Sequence, residues 1–169
     1  MVETTLSGAS HHILTNDYAS EWMGIEVLKV DDGHATIRMK LRQEMLNGFG
    51  MAHGGMIFAF GDTAFALACN PASPTPEEAA TITVASGVDI NFIKPAFEGQ
   101  VITAVANRRA TTGRSGLYDI QLYAADESSS PTITEPGELI AEFRGRSRTI
   151  SKACWTAISS VSDRTGFVK

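Results

Sequence analysis

One carboxylate in an otherwise oily run constrains this chain more than any other feature. The stretch Met56-Ile-Phe-Ala-Phe-Gly-Asp-Thr-Ala-Phe-Ala-Leu-Ala-Cys-Asn70 carries Asp62 and almost no other polar group. A helix apolar around its whole circumference is normally buried on every side. An aspartate there needs a partner or a polar cavity, because its charged form loses hydration on burial. His53-Gly54-Gly55 stands just upstream and reads as the start of the helix. A helix start offers unpaired backbone N–H groups and the positive end of a dipole. An acid and an anion-binding helix end on one element point to acyl chemistry.

The flanking sequence supplies the walls. Residues 11–23 carry Ile13, Leu14, Tyr18, Trp22 and Met23, which predicts a short amphipathic helix closed by Gly24. Residues 24–41 read as a hairpin turning at Asp31-Asp32-Gly33, and 42–53 as a loop. The oily helix occupies about 54–70 and ends at Asn70-Pro-Ala-Ser-Pro, where proline cannot continue it. Four strands follow over 81–93, 100–109, 116–124 and 138–150, with a Ser/Pro-rich loop before the last. In the first of these, Ile82, Val84, Val88, Ile90 and Phe92 alternate as if on one face. The order predicts an α+β fold, a curved antiparallel sheet of about six strands wrapped around a long central helix. A sheet covers only part of a helix, so a second copy of the chain is expected over the rest.

At 169 residues the chain suits one domain over 1–150 and a tail over 151–169. A net charge of −5 argues against a nucleic-acid partner. Two cysteines, Cys69 and Cys154, give no disulfide framework and favour a reducing compartment. The first residues lack the pattern of a secretory signal, and Asp62 keeps the oily run short of a membrane span. A soluble, cytoplasmic protein without a membrane partner is expected. The chain carries no Gly-x-Ser-x-Gly elbow, no Gly-x-x-x-x-Gly-Lys loop and no Cys/His cluster with metal spacing. The four histidines (His11, His12, His34 and His53) are scattered, with His11-His12 expected at the surface, and no metal and no cofactor are expected.

The stretch Leu46-Asn-Gly-x-x-x-x-His-Gly-Gly-x-x-x-x-x-x-Asp-Thr-Ala-Phe-Ala-x-Ala-Cys-Asn70 resembles the hotdog-fold acyl-CoA thioesterases of the phenylacetic acid degradation (PaaI) type. Val88-Asp-Ile-Asn-Phe-Ile-Lys-Pro95, Gly113-Arg-Ser-Gly-Leu-Tyr-Asp119 and Phe143-Arg-Gly-Arg-Ser-Arg148 extend the resemblance across residues 16–150. It implies the hotdog fold, hydrolysis of acyl-CoA with aromatic acyl groups favoured, and a homotetramer built from two dimers. It also places Asn47 in the site.

Hydrolysis of a thioester needs a base or nucleophile and donors for the developing oxyanion. Asp62 is the candidate base or nucleophile, and a tightly bonded structural aspartate is its bland alternative. Gly54 offers its backbone N–H to the thioester oxygen, with Gly55 beside it, where no Cβ blocks approach. Asn47 either contacts substrate or simply forms an Asn-Gly turn. His53 reads as a positioning residue, because the helix's positive end disfavours its protonated form. Thr63 is placed to hold a water or the carboxylate, or else bonds within its helix. Arg144, Arg146 and Arg148 alternate on one strand and share a face, with Arg114 and Ser115 in a nearby turn. They form a candidate landing site for the phosphates of CoA. Pocket walls are expected from Phe49, Met51, Ala52, Met56 and Phe60 and from the region of Asn91.

Gly54 and Asp62 lie about 12 Å apart along one helix, too far to touch one thioester carbon. Antiparallel helices across a two-fold axis would bring Gly54 of one subunit to Asp62 of the other. A homodimer with shared active sites is therefore expected. Two other readings stand beside the thioesterase. One is a hydratase or dehydratase of the same fold, and the other a non-catalytic acyl-CoA-binding module.

Overall fold

Alternating apolar residues and glycine-bearing turns produce one mixed sheet. Its strands are β1 (Ser7–Gly8), β2 (Glu26–Asp31), β3 (His34–Lys40), β4 (Thr81–Phe92), β5 (Val101–Thr112), β6 (Ser115–Ala125) and β7 (Glu138–Ser151). They lie in the order β1-β2-β3-β5-β6-β7-β4. Every pairing is antiparallel except the short β1 beside β2. The computed structural model describes residues 6–153. The expected tail is β strand at Ser151, and residues 154–169, with Cys154, lie outside the described residues.

Among the described residues the sheet is accompanied by α1 (Tyr18–Met23) and α2 (Gly54–Cys69). α2 is the oily helix, and it packs against β2, β3, β4, β5, β6 and β7. Phe60, Phe65 and Leu67 from α2 meet Ile37, Ile102, Ile120, Leu122 and Phe143 from the strands in one core. Close approach depends on glycine. A Cβ on Gly145 of β7 would stand 2.8 Å from the Phe65 ring, closer than packed carbon atoms can approach.

Asn70 stops α2 in extended backbone and fastens it to the sheet. Its Nδ2 donates to the carbonyls of Ala66 (3.0 Å) and Thr83 (2.9 Å), and its Oδ1 accepts from the Thr83 N–H (3.0 Å). At the other end of α2, a Cβ on Gly54 would lie 3.2 Å from the Phe92 ring. α2 and β4 therefore run antiparallel, start against finish.

Three local expectations are corrected. The helix expected over 11–23 is a 3₁₀ turn at His12–Leu14 followed by α1, because Asn16 takes φ 63° and Asp17 caps a new start. His11 is not a surface residue. It is buried at 5% exposure and bonds through Nε2 to the Asn70 carbonyl (3.1 Å), while burial pulls its pKa down. The single apolar face expected along β4 breaks at a bulge between Ala85 and Gly87. Val88, Ile90 and Phe92 pair with Gly145, Phe143 and Ala141 on the side of α2, whereas Ile82 and Val84 pair with Ile150 and Arg148 on the outer side. One inserted residue reverses every side chain beyond it.

β1 lies outside the expected strands, since two residues carry no alternation to read. No helix among the described residues is long and apolar enough to cross a membrane.

Candidate active site

The loop before α2 is held rigid by its own backbone. The Asn47 N–H donates to the Met51 carbonyl (2.8 Å), the His53 N–H to Met45 (2.8 Å) and the Ala52 N–H to Ala96 (2.8 Å). Met45 and Ala96 are both buried, so this loop is anchored to the core at two points. The Asn47 Oδ1 accepts from the N–H groups of Phe49 (2.9 Å) and Met51 (3.3 Å). Asn47 thus shapes the turn through its oxygen and leaves its amide nitrogen for other work.

His53 caps α2. Its Nδ1 accepts from the Gly55 N–H at 3.0 Å, so Nδ1 is unprotonated and a neutral ring carries its proton on Nε2. An Nδ1 occupied by the cap cannot also serve as the base. The Gly54 N–H has no hydrogen-bond partner among the described residues and opens on an apolar cavity of about 350 Å³. Met51, Ala52, Ile57, Phe92 and Ile140 supply most of its wall.

Asp62 lies two turns further along α2. Its carboxylate forms no ion pair or hydrogen bond with any described residue, and partial burial pushes its pKa above the ordinary carboxylate value. It shares a face with the exposed Gly55 and the half-buried Ala59 and Ala66, spaced as one side of a helix. That face is the part of α2 left bare by the sheet. Neighbouring Thr63 is committed elsewhere, its Oγ1 3.2 Å from the Ser20 Oγ, which donates to Asp17 (2.6 Å). Burial raises the Cys69 thiol to about pKa 12, which removes it as a nucleophile near neutrality.

The arginine ladder lies on the outer face of the sheet, away from α2. Arg144 pairs with Asp119 (2.8 Å), as does Arg109 (2.7 Å), and Arg146 pairs with Asp89 (2.6 Å). Arg114 and Arg148 form no ion pair among the described residues, and they are neighbours, since the Thr149 N–H donates to the Arg114 carbonyl (2.8 Å). Ser115 pairs with Arg148 across the ladder. Asn91 faces outward opposite Glu142 and is exposed, turned from the cavity that its neighbour Phe92 lines. Within one chain, His53, Gly54 and Gly55 form the start of α2 and Asn47 shapes the loop before it, while Asp62 stands apart along the helix and the arginines stand behind the sheet.

Three expected wall residues are corrected. Phe60 is fully buried in the core, Phe49 is 86% exposed and Met56 packs against the core, so none of them lines the cavity. Met51 and Ala52 line it as expected, as do Phe92, Ile93 and Lys94 from the region of Asn91, with Ile140 added from β7. Only the run Asn91-Phe-Ile-Lys-Pro95 signals Phe92, Ile93 and Lys94, and nothing local shows that the end of β4 meets the start of α2.

Residues 49–130 match the thioesterase superfamily model, a span that takes in α2 and the strands through β6. The acyl-coenzyme A thioesterase PaaI of Escherichia coli (strain K12) is 33% identical over 141 residues, covering 83% of this chain and 89% of that one. The chain belongs to the PaaI-type acyl-CoA thioesterases. The structure of the E. coli PaaI protein superposes on this thioesterase with a TM-score of 0.69. A mutant of the phenylacetic acid degradation protein PaaI from Thermus thermophilus gives 0.64 at 27% identity, covering 78% of this chain and 98% of that one. The hotdog fold follows: a sheet of seven strands around one main helix.

Proposed function

We propose that this thioesterase hydrolyses aromatic, phenylacetyl-type or medium acyl-CoA thioesters to the free acid and CoA. The observation that carries the reading is one helix with an unpaired N–H over an apolar cavity and an unpaired acid on its bare face. The Gly54 N–H donates to the thioester oxygen and stabilises the charge that grows there. Asp62 takes a proton from water as the water attacks the carbonyl carbon, or attacks that carbon itself to form a mixed anhydride that water then opens. Collapse of the tetrahedral intermediate breaks the C–S bond and releases CoA as the thiolate. A carboxylate with a raised pKa is a better base than an ordinary one. Asn47 offers its amide nitrogen to the substrate or the attacking water, and His53 holds the helix start in place. CoA is part of the substrate, and the scheme needs no cofactor.

The acid and the amide come from different subunits in this reading. β4 is an open sheet edge twelve residues long. A two-fold pairing of β4 with its copy would satisfy that edge and set two α2 helices side by side, antiparallel. For Gly54 to meet the partner's acid, the axis must pass level with Phe58, midway between Gly54 and Asp62. Phe58 is about 6 Å along the helix from Gly54. With Phe92 beside Gly54, that distance is about two residues of strand, which puts the axis near Ile90. Two such dimers make the homotetramer. Arg114 and Arg148, uncommitted to any carboxylate, are the arginines best placed to take CoA phosphates, with Ser115 between them. Arg144 and Arg146 would first have to release Asp119 and Asp89.

Thiol release from phenylacetyl-CoA tests the reading. Wild type should turn over, and Asp62→Asn should lose about a hundredfold or more of kcat. Water addition to an enoyl-CoA without thiol release would make the protein a hydratase, and binding without turnover a carrier module.

A further inference from the structure

Phe92 is a large aromatic side chain left 56% exposed, with its ring against the Gly54 backbone. Nothing in the packing of the sheet requires an aromatic residue at that strand end. The cavity that Phe92 borders is apolar, and several of its backbone groups are already paired. The N–H groups of Ile93 and Lys94 both donate to the Ile140 carbonyl (2.8 and 3.2 Å), Pro95 has no N–H, and the Ala96 carbonyl accepts from Ala52. Lys94, the charged side chain at the rim, is paired with Glu138.

An amide-bearing chain entering this largely apolar cavity would find few partners for its polar groups, at a cost in free energy. The pantetheine arm of CoA is such a chain, and an acyl group is not. The Gly54 N–H stands unpaired at the edge of the cavity, where the proposed mechanism puts the thioester oxygen.

Resting on the thioesterase reading, we propose that this cavity takes the acyl group and that Phe92 sets its specificity, stacking on an aryl ring held next to Gly54. An offset or edge-to-face contact with Phe92 favours an aryl acyl group beyond simple burial. The cavity volume of about 350 Å³ lies at the small end of the range for ligand pockets, which suits a single ring better than a long chain. Because a Cβ on Gly54 would press on this ring at 3.2 Å, the amide and the acyl wall are set by one contact.

The test compares wild type with Phe92→Ala and Phe92→Leu on phenylacetyl-CoA and acetyl-CoA, with inhibition by free CoA and the oligomeric state measured alongside. The phenylacetyl to acetyl ratio of kcat/KM should fall about tenfold in Phe92→Ala and less in Phe92→Leu, with inhibition by CoA little altered. An unchanged ratio overturns the proposal. So does a matched loss on both substrates with dissociation of the oligomer, which would give Phe92 to the interface. Weakened inhibition by CoA with the ratio intact would give the cavity to the thiol arm and overturn it equally. Absence of thiol release by wild type from either substrate would instead overturn the thioesterase reading on which the proposal stands.

Discussion

In its proposed role, Asp62 sets turnover against stability. Its pKa in the folded chain is raised by burial, so folding favours the protonated form. Relative to the unfolded chain, with its ordinary aspartate value near 3.9, the protonated group adds stability at low pH. That stability is lost as pH rises through the higher folded value, and above it the ionised group is a net cost. Asp62→Asn should therefore be inactive yet as stable as wild type or more so at pH 7. Thermal melts across pH should show the difference vanish below about pH 4. The acid limb of kcat/KM should lie above the ordinary carboxylate value in wild type. A variant less stable than wild type at neutral pH would show that Asp62 is a structural partner after all. Gly54→Ala probes the other half of the site. The added Cβ meets the Phe92 ring at 3.2 Å, and that half-exposed ring can yield, so the chain should fold while turnover falls.

At the scale of elements, the site depends on how tightly α2 lies on the sheet. Gly145 lets the Phe65 ring rest on the backbone of β7. Phe65 is 1% exposed and has no room to move, so Gly145→Ala should destabilise by about 1–3 kcal/mol, read from chemical denaturation. The outer face of β7 works separately. Asp119 and Asp89 hold Arg144 and Arg146, and the two guanidinium partners keep the Asp119 carboxyl below its usual range. Alanine at Arg114 or Arg148 should raise KM for acyl-CoA more than it lowers kcat, and should weaken the salt dependence of binding. Unchanged KM in both variants would leave the phosphates to another surface.

For the whole molecule, the proposed mechanism ties the spacing on α2 to the assembly. Amide and acid on one helix cannot serve one carbonyl, so activity should require the dimer. Mixing Asp62→Ala subunits with Gly54→Ala subunits should restore about a quarter of wild-type activity, since half the exchanged dimers carry one intact site. No recovery after verified exchange would overturn the shared site.

The helix, its start at His53-Gly54 and its stop at Asn70 were legible because apolar composition, glycine, proline and cap residues act locally. Asp62 stood out for the same reason, a charge among oily neighbours. The strands were legible by alternation, except where the bulge at Ser86 reversed the pattern and where two-residue β1 was too short to have one. The commitment of Thr63 to Ser20 and of Arg144 to Asp119 was not legible, because those partners are 43 and 25 residues away.

The sequence by itself determined that a lone acid and a free helix start share one greasy element, since both follow from neighbours within a few turns. Only the tertiary structure decided what surrounds them. It ran β4 back along α2, laid Phe92 over Gly54, and put the arginines behind the sheet. Those outcomes depend on strand order and on a one-residue bulge, and no short-range pattern encodes either.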